Sequence, residues 1–122
     1  MHQLDRAIEF YCGGDVVCAI TLAGAAEEVL GQLCKRRGLV NALEEAIGVE
    51  GWSNHNSEPK DRRDILNQTK NALKHASVEG EDCIEIDEHD PYLIIARAIY
   101  NLKLLGLESS HLVKKFCEMH KP

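Results

Sequence analysis

The 122-residue chain lacks the features that mark membrane-spanning, secreted and disulfide-stabilised proteins. No apolar run approaches the roughly 18 residues needed to span a bilayer, so we expect no contact with a membrane. The segment from Met1 to Arg6 has no basic stretch followed by an apolar one, so no secretory signal is visible. The five cysteines are odd in number and form no CxxC pair, which favours reduced thiols and a cytoplasmic location.

Aromatic residues and cofactor motifs are also scarce. Aromatics make up 5% of the chain, which argues against a base-stacking sheet or an aromatic cage. The six histidines form no HExxH or HxH pattern, and there is no P-loop, dinucleotide fingerprint or GxSxG elbow. We therefore expect neither a metal nor a cofactor. His2, His111 and His120, near the ends of the chain, are expected to face solvent.

The net charge of −6 is unevenly distributed along the chain. Residues 79–90 hold seven acidic residues and no Lys or Arg, so the remainder of the chain carries about +1. This acidic segment is typical of a solvated loop, and it lacks the spacing of an EF-hand calcium loop. The acidic average therefore does not exclude a nucleic-acid partner, which would have to contact a local basic face.

The apolar periodicity predicts an all-α, single-domain helical bundle of about five to six helices over residues 1–122. Asp15 and Asp90 are predicted helix caps, Pro91 a first helical residue, and Ser109 or Ser110 the start of the last helix. A short extended piece is predicted at 83–87. The predicted helices cover about 3–11, 15–37, 39–47, 59–76, 91–105 and the residues after Ser110.

The second predicted helix carries an apolar stripe with one carboxylate at its edge. Glu27 at this edge could pair with Lys70 or His75, or it could be a structural or solvated Glu. Gly24 and Gly31 lie on the same flank and would allow close approach of another helix. The stripe itself consists of Ala19, Leu22, Ala23, Ala26, Val29, Leu30 and Leu33.

The helix predicted at 59–76 has the most basic polar face in the chain. Asn71 and His75 are spaced i, i+4 and are therefore neighbours on the helix surface, with Lys70 at the border of the apolar face. Such a face is typical of an ordinary solvated helix, and it would also suit contact with phosphates.

Residues 19–30 form an alanine-rich helix that contains Glu27, and residues 70–75 have the sequence Lys-Asn-Ala-Leu-Lys-His. Together these segments resemble the HEPN superfamily of small helical bundles. In that family the second helix carries a characteristic Glu, and a later helix carries an Arg, a polar residue and, after a short gap, a His. Glu27, Asn71 and His75 match these positions, whereas Lys70 stands where active members carry Arg.

The resemblance implies a metal-independent endoribonuclease whose site lies in a cleft between two protomers. His75 would act as acid or base, and the cation at position 70 would hold the phosphate. Lys70 supplies charge without the bidentate fork of Arg, which leaves two functions open. One is an RNA-directed homodimer, weakly active or inactive, with a nucleotidyltransferase or an antitoxin as a candidate partner. The other is a non-catalytic protein–protein interaction module.

Overall fold

The computed structural model describes residues 1–47 and 89–121. Within these ranges the chain is helical and contains no strand, which confirms the all-α prediction for this part of the molecule. The helix predicted at 59–76 and the extended piece predicted at 83–87 lie outside the described residues. The five described helices are α1 (His2–Cys12), α2 (Val16–Arg36), α3 (Ala42–Ile47), α4 (His89–Leu104) and α5 (His111–Met119).

Short polar side chains set the starts of α2, α3 and α5. The Asp15 carboxylate accepts a hydrogen bond from the Cys18 amide at 3.1 Å, and the Ser110 hydroxyl accepts one from the Val113 amide at 3.1 Å. Both caps confirm the prediction, because these side chains satisfy amides that have no partner inside the helix. The sequence analysis did not predict the cap of α3. The Asn41 side-chain oxygen accepts a hydrogen bond from the Glu44 amide at 2.9 Å, so α3 begins at Ala42 rather than at residue 39.

The start of α4 differs from the prediction. The described helix already includes His89, so Asp90 and Pro91 lie in its first turn rather than at the cap and the first helical position. Asp90 still suits this place because a carboxylate in the first turn interacts favourably with the helix dipole. At the other end, Gly106 has a positive φ of 70°, which ends the helix where the sequence predicted.

The two longest helices, α2 and α4, run side by side in the same direction. Glu27 of α2 contacts Arg97 of α4, and farther along both helices the Arg37 side chain donates to the Leu105 carbonyl at 2.9 Å. Both contacts pair earlier residues with earlier ones and later residues with later ones, so α2 and α4 are parallel.

Helices α1 and α5 are also parallel to each other. The Ser110 hydroxyl donates to the Asp5 carboxylate at 2.6 Å near their starts, and the rings of Tyr11 and Phe116 meet near their ends, with centroids 5.6 Å apart. The four longer described helices therefore form two parallel pairs.

The core lies between α1, α2, α4 and α5. The buried face of α2 is rotated relative to the predicted stripe, because Val29 is 48% exposed whereas Ile20 and Cys34 are fully buried. The deepest apolar side chains of the cluster are Leu4, Ile8, Ile20, Leu30, Ile95, Leu102 and Val113.

By length and composition alone, α2 is long and apolar enough to span a membrane. This differs from the expectation that the chain has no such segment. The mean hydropathy of α2 reaches 1.5 over an 18-residue window, of which 44% is buried inside the bundle. A helix that packs in the core of a protein passes the same test, so this result by itself is weak evidence for a membrane.

Four rings pack against one another at one end of the bundle: those of Tyr11, Tyr92, Phe116 and His120. His120 was expected to face solvent, but its ring packs against Phe116 at 4.5 Å, Tyr92 at 4.7 Å and Tyr11 at 5.8 Å between centroids. Its Nε2 atom is buried and has no hydrogen-bond partner in the described part of the chain. We call this group the aromatic end.

Candidate functional site

Glu27 lies deeper than the sequence predicted. It was placed at the edge of the apolar stripe of α2, whereas its residue surface is only 3% exposed. Its carboxylate Oε2 lies 3.5 Å from Nη2 of Arg97 on α4, and the two side chains are 4% and 12% exposed. A buried carboxylate needs a partner of this kind, because removal from water strongly disfavours an isolated charge.

Arg97 was not singled out by the sequence analysis. The signal was nevertheless present, since Arg97 is the one charged residue in the stretch from Tyr92 to Asn101, which is otherwise mostly apolar. A lone cation in such a helix is expected to have a carboxylate partner on a neighbouring helix. The predicted partners of Glu27, Lys70 and His75, lie outside the described residues.

Next to the ion pair, two asparagines join α2, α3 and α4. Asn101 is 1% exposed, and its side-chain oxygen accepts from the Ala42 amide at 2.7 Å while its Nδ2 donates to the Glu27 carbonyl at 3.5 Å. Asn41 Nδ2 donates to the Gly31 carbonyl at 3.3 Å. Since buried amides require partners, these bonds fix the relative positions of the three helices.

Gly31 makes this arrangement possible. A Cβ atom built at position 31 would lie 3.3 Å from Nδ2 of Asn41 and 3.6 Å from Nδ2 of Asn101. The expected close approach of a helix backbone is not what the structure shows at Gly31, because amide side chains occupy the space instead. Asn41, Asn101 and Gly31 lie toward the ends of α2 and α4, and together with the ion pair at the middle of these helices they form what we call the amide end.

Cys34 completes the amide end. Its thiol donates to the Asn101 carbonyl at 3.7 Å. Burial raises the pKa of the Cys34 thiol, and the nearby positive charge of Arg37 only partly opposes this increase. The thiol therefore remains protonated at neutral pH and acts as a weak hydrogen-bond donor rather than as a nucleophile.

Of the four predicted catalytic residues, the structure describes Glu27 alone. Lys70, Asn71 and His75 lie outside the described residues. The described part of the site thus offers a carboxylate and a guanidinium in fixed positions, surrounded by hydrogen-bonded amides. Among the described residues, no three His, Cys, Asp or Glu side chains lie close enough to hold a metal ion.

Comparison with known proteins gives no significant match. No family model matches the chain, and neither the curated proteins nor the solved structures contain a significant match.

Proposed function

We propose that the protein is an RNA-directed helical module of the HEPN type, acting either as a weak metal-independent endoribonuclease or as an RNA binder without cleavage. The observation that carries the proposal is the buried Glu27–Arg97 ion pair. It lies on the helix segment whose sequence, around Glu27, resembles that of the family.

A contribution to the stability of the fold does not explain why this ion pair is buried. Removing two charges from water costs several kcal/mol per ion, on the order of what their mutual attraction returns, so apolar residues of similar size stabilise a core at least as well. Fixed charges, by contrast, are useful wherever an anionic substrate has to be oriented. At 3% exposure Glu27 does not reach a substrate itself, so we assign it a positioning role through its neighbours.

We assign the chemical roles to residues in the segment 70–75, the second segment that resembles the family. His75 would transfer protons between the 2′-hydroxyl of the RNA, the adjacent phosphate and the leaving oxygen, since an unperturbed imidazole titrates near neutral pH. Lys70 would neutralise the phosphate as a point charge, and Asn71 would orient it by hydrogen bonding. In this reaction the 2′-hydroxyl attacks the phosphorus and the 5′-oxygen leaves, and the resemblance to the family implies that no metal ion takes part.

A cleavage assay tests this function directly. The purified chain is incubated with structured and with single-stranded RNA in the presence of a chelator. General acid–base catalysis contributes about a hundredfold to ten-thousandfold, so His75→Ala is expected to lower the cleavage rate by that factor. Lys70→Arg is expected to raise the rate because it restores the bidentate grip on phosphate.

The matched control is His111→Ala, which removes an exposed histidine of α5. It should leave cleavage unchanged. If neither the wild type nor Lys70→Arg cleaves any RNA, the proposal of a nuclease activity is wrong. If RNA binding is also absent, or does not weaken steeply with added salt, the RNA-directed function as a whole is wrong.

The alternative function, a protein–protein interaction module, is favoured by a different observation. Two valines of α2, Val17 and Val29, are 50% and 48% exposed on a helix that otherwise packs in the core. Exposed apolar side chains grouped on one helix commonly mark a contact surface. A chain that binds no RNA but associates through this helix would support the alternative.

A further inference from the structure

The exposed side of α5 is rich in lysine. Lys114 and Lys115 lie ahead of the last turn of the helix and are both exposed, and Lys121 is exposed just after the helix ends. The helix dipole does not explain this placement, because α5 has no basic residue in its last turn, where the dipole would favour one. The lysines of α5 are therefore candidates for contact with a partner.

A fourth lysine joins this side of the bundle from α4. Nζ of Lys103 lies 3.9 Å from Sγ of Cys117, which follows Lys114 by three residues on α5. Residues three apart are neighbours on a helix surface, so Lys103 and Lys114 both lie beside Cys117. We use the name α5 lysine surface for Lys103, Lys114, Lys115 and Lys121.

The cations of the α5 lysine surface are available for a partner. All four are exposed, and none forms an ion pair with a described residue, not even with Glu118, which follows Lys114 by one helical turn. The ion pairs that join described residues involve Arg6, Lys35 and Arg97 instead. Like charges that lie near one another repel, so their grouping on one side of the bundle indicates a function other than stability.

The charge of this part of the chain is opposite in sign to that of the whole. Residues 103–121 contain four lysines and two glutamates, Glu108 and Glu118, and so carry +2, whereas the net charge of the whole chain is −6. An anionic partner therefore meets attraction at the α5 lysine surface, although the chain as a whole repels it.

The composition of the α5 lysine surface suits RNA better than an acidic protein or a membrane. Lysine is depleted in protein–protein interfaces, whereas interfaces with nucleic acids are rich in positive charge. The apolar side of α5, with Val113 and Phe116, is buried in the core, so it is not available to enter a lipid layer. Lysine ammonium groups act on phosphates as point charges and need no fixed bidentate geometry.

We propose that the α5 lysine surface binds the phosphate backbone of RNA, without regard to base sequence. This inference rests on the proposed function and deepens it, because it places a contact with RNA on described residues outside the segment 70–75. Phosphate contacts position a strand on a protein and carry no direct sequence information.

RNA binding at several salt concentrations tests the inference. Fluorescence anisotropy of labelled uridine-only and adenosine-only strands gives the dissociation constant of the full chain between about 50 and 200 mM salt. Each phosphate contact with a single strand contributes about 0.7 to the steepness of log affinity against log salt concentration. The variant with Lys114→Gln and Lys115→Gln should therefore reduce this steepness by up to about 1.4 and weaken the binding of both strands equally.

The matched control is the variant with Lys35→Gln and Arg36→Gln, which removes two adjacent charges from the last turn of α2. It should leave the salt dependence unchanged. A further variant with Lys114→Arg and Lys115→Arg keeps the charges of α5 and should bind RNA as the wild type does. Circular dichroism checks that all three variants remain helical.

Four outcomes overturn the inference while the wild type still binds RNA. An unchanged salt dependence in the glutamine variant of α5 shows that RNA binds elsewhere, and an equal loss in the α2 control shows that binding is spread over all exposed cations. Competition by polyglutamate as strong as that by RNA of equal charge shows an acidic protein as the partner, and sedimentation with anionic lipid vesicles shows a membrane. A wild type that binds no RNA overturns the proposed function and this inference together.

Discussion

The two ends of the bundle are held together by different physical means. At the amide end, Asn101, Asn41 and the Glu27–Arg97 pair join α2, α3 and α4 through directional contacts of 2.7 to 3.5 Å. At the aromatic end, the rings of α1, α4 and α5 meet at centroid distances of 4.5 to 5.8 Å without a hydrogen bond among them. Polar geometry fixes the first end, and ring burial fixes the second.

This difference determines how each end responds to mutation. A hydrogen-bonded network loses most when one partner is removed, because the remaining buried groups keep their desolvation cost. A cluster of rings loses free energy roughly in proportion to the contact area that is removed, and it tolerates replacement by another ring. The amide end should therefore be sensitive to small changes of chemistry and the aromatic end to changes of volume.

The largest effect is expected for Arg97→Met. This change leaves the Glu27 carboxylate in the core without the guanidinium, and it should lower the free energy of unfolding by about 3–5 kcal/mol. Urea denaturation followed by circular dichroism measures the change. If the loss is below about 1 kcal/mol, the pair is effectively solvated and the amide end is not a buried network.

The double variant with Glu27→Met and Arg97→Met sharpens this result. Replacing both charges by apolar side chains of similar length should recover most of the lost stability, since a buried ion pair adds little over a hydrophobic pair. Full stability combined with lost RNA activity would show that the pair serves function. Full stability with unchanged activity would contradict the role proposed for Glu27.

The next effect concerns Asn101→Ala. It removes the acceptor of the Ala42 amide and the donor to the Glu27 carbonyl, and it leaves a small cavity in the core. We expect a loss of about 2–4 kcal/mol, which thermal denaturation would show as a decrease of roughly 4 °C per kcal/mol. Asn41 is buried too, but the comparison variant Asn41→Ala should cost less, because its bond from the Glu44 amide is only partly buried whereas both side-chain bonds of Asn101 are buried. Equal losses would show that the two amides do not differ in depth.

The comparison of the two ends also shows what the sequence could predict. Helix positions and two of the caps followed from periodicity and from the cap residues Asp15 and Ser110, because those signals are local. The rotation of the buried face of α2 was not predictable in the same way. Val29 fits the apolar period, but the parallel packing against α4 places Glu27, Gly31 and Cys34 in the interior instead.

The candidate site was predicted less completely than the fold. Glu27 was identified by its motif, whereas its described partner Arg97 lies 70 residues away in the sequence. Asn101 and His120 gave no periodic signal either, since an asparagine in an apolar helix and a histidine near a terminus are usually exposed. The burial of Asn101 and the ring contacts of His120 depend on tertiary packing between helices, which local patterns do not specify.

The aromatic end should respond to His120→Phe with a gain in stability. The buried Nε2 atom of His120 lacks a hydrogen-bond partner among the described residues, so its removal should stabilise the fold by about 1 kcal/mol while ring contacts are kept. The control His111→Phe changes an exposed residue and should have little effect. A clear loss of stability in His120→Phe would mean that the imidazole has a polar role that a phenyl ring cannot replace.

The smallest effect is expected for Gly31→Ala, where two terms oppose each other. Alanine favours the helical state by about 0.8–1.0 kcal/mol over glycine. Its Cβ would lie 3.3 Å from Nδ2 of Asn41, which is held by its bond to the Gly31 carbonyl and cannot easily move away. We therefore expect a net loss of about 0.5–1 kcal/mol, since crowding of a packed site typically costs about 1–3 kcal/mol. The matched control is Gly13→Ala, where φ is −83° and the nearest atom lies at 3.4 Å, so the same substitution should be neutral or stabilising. If chemical denaturation shows that Gly31→Ala is as favourable as Gly13→Ala, Asn41 can adapt, and the amide end is less rigid than its hydrogen bonds indicate.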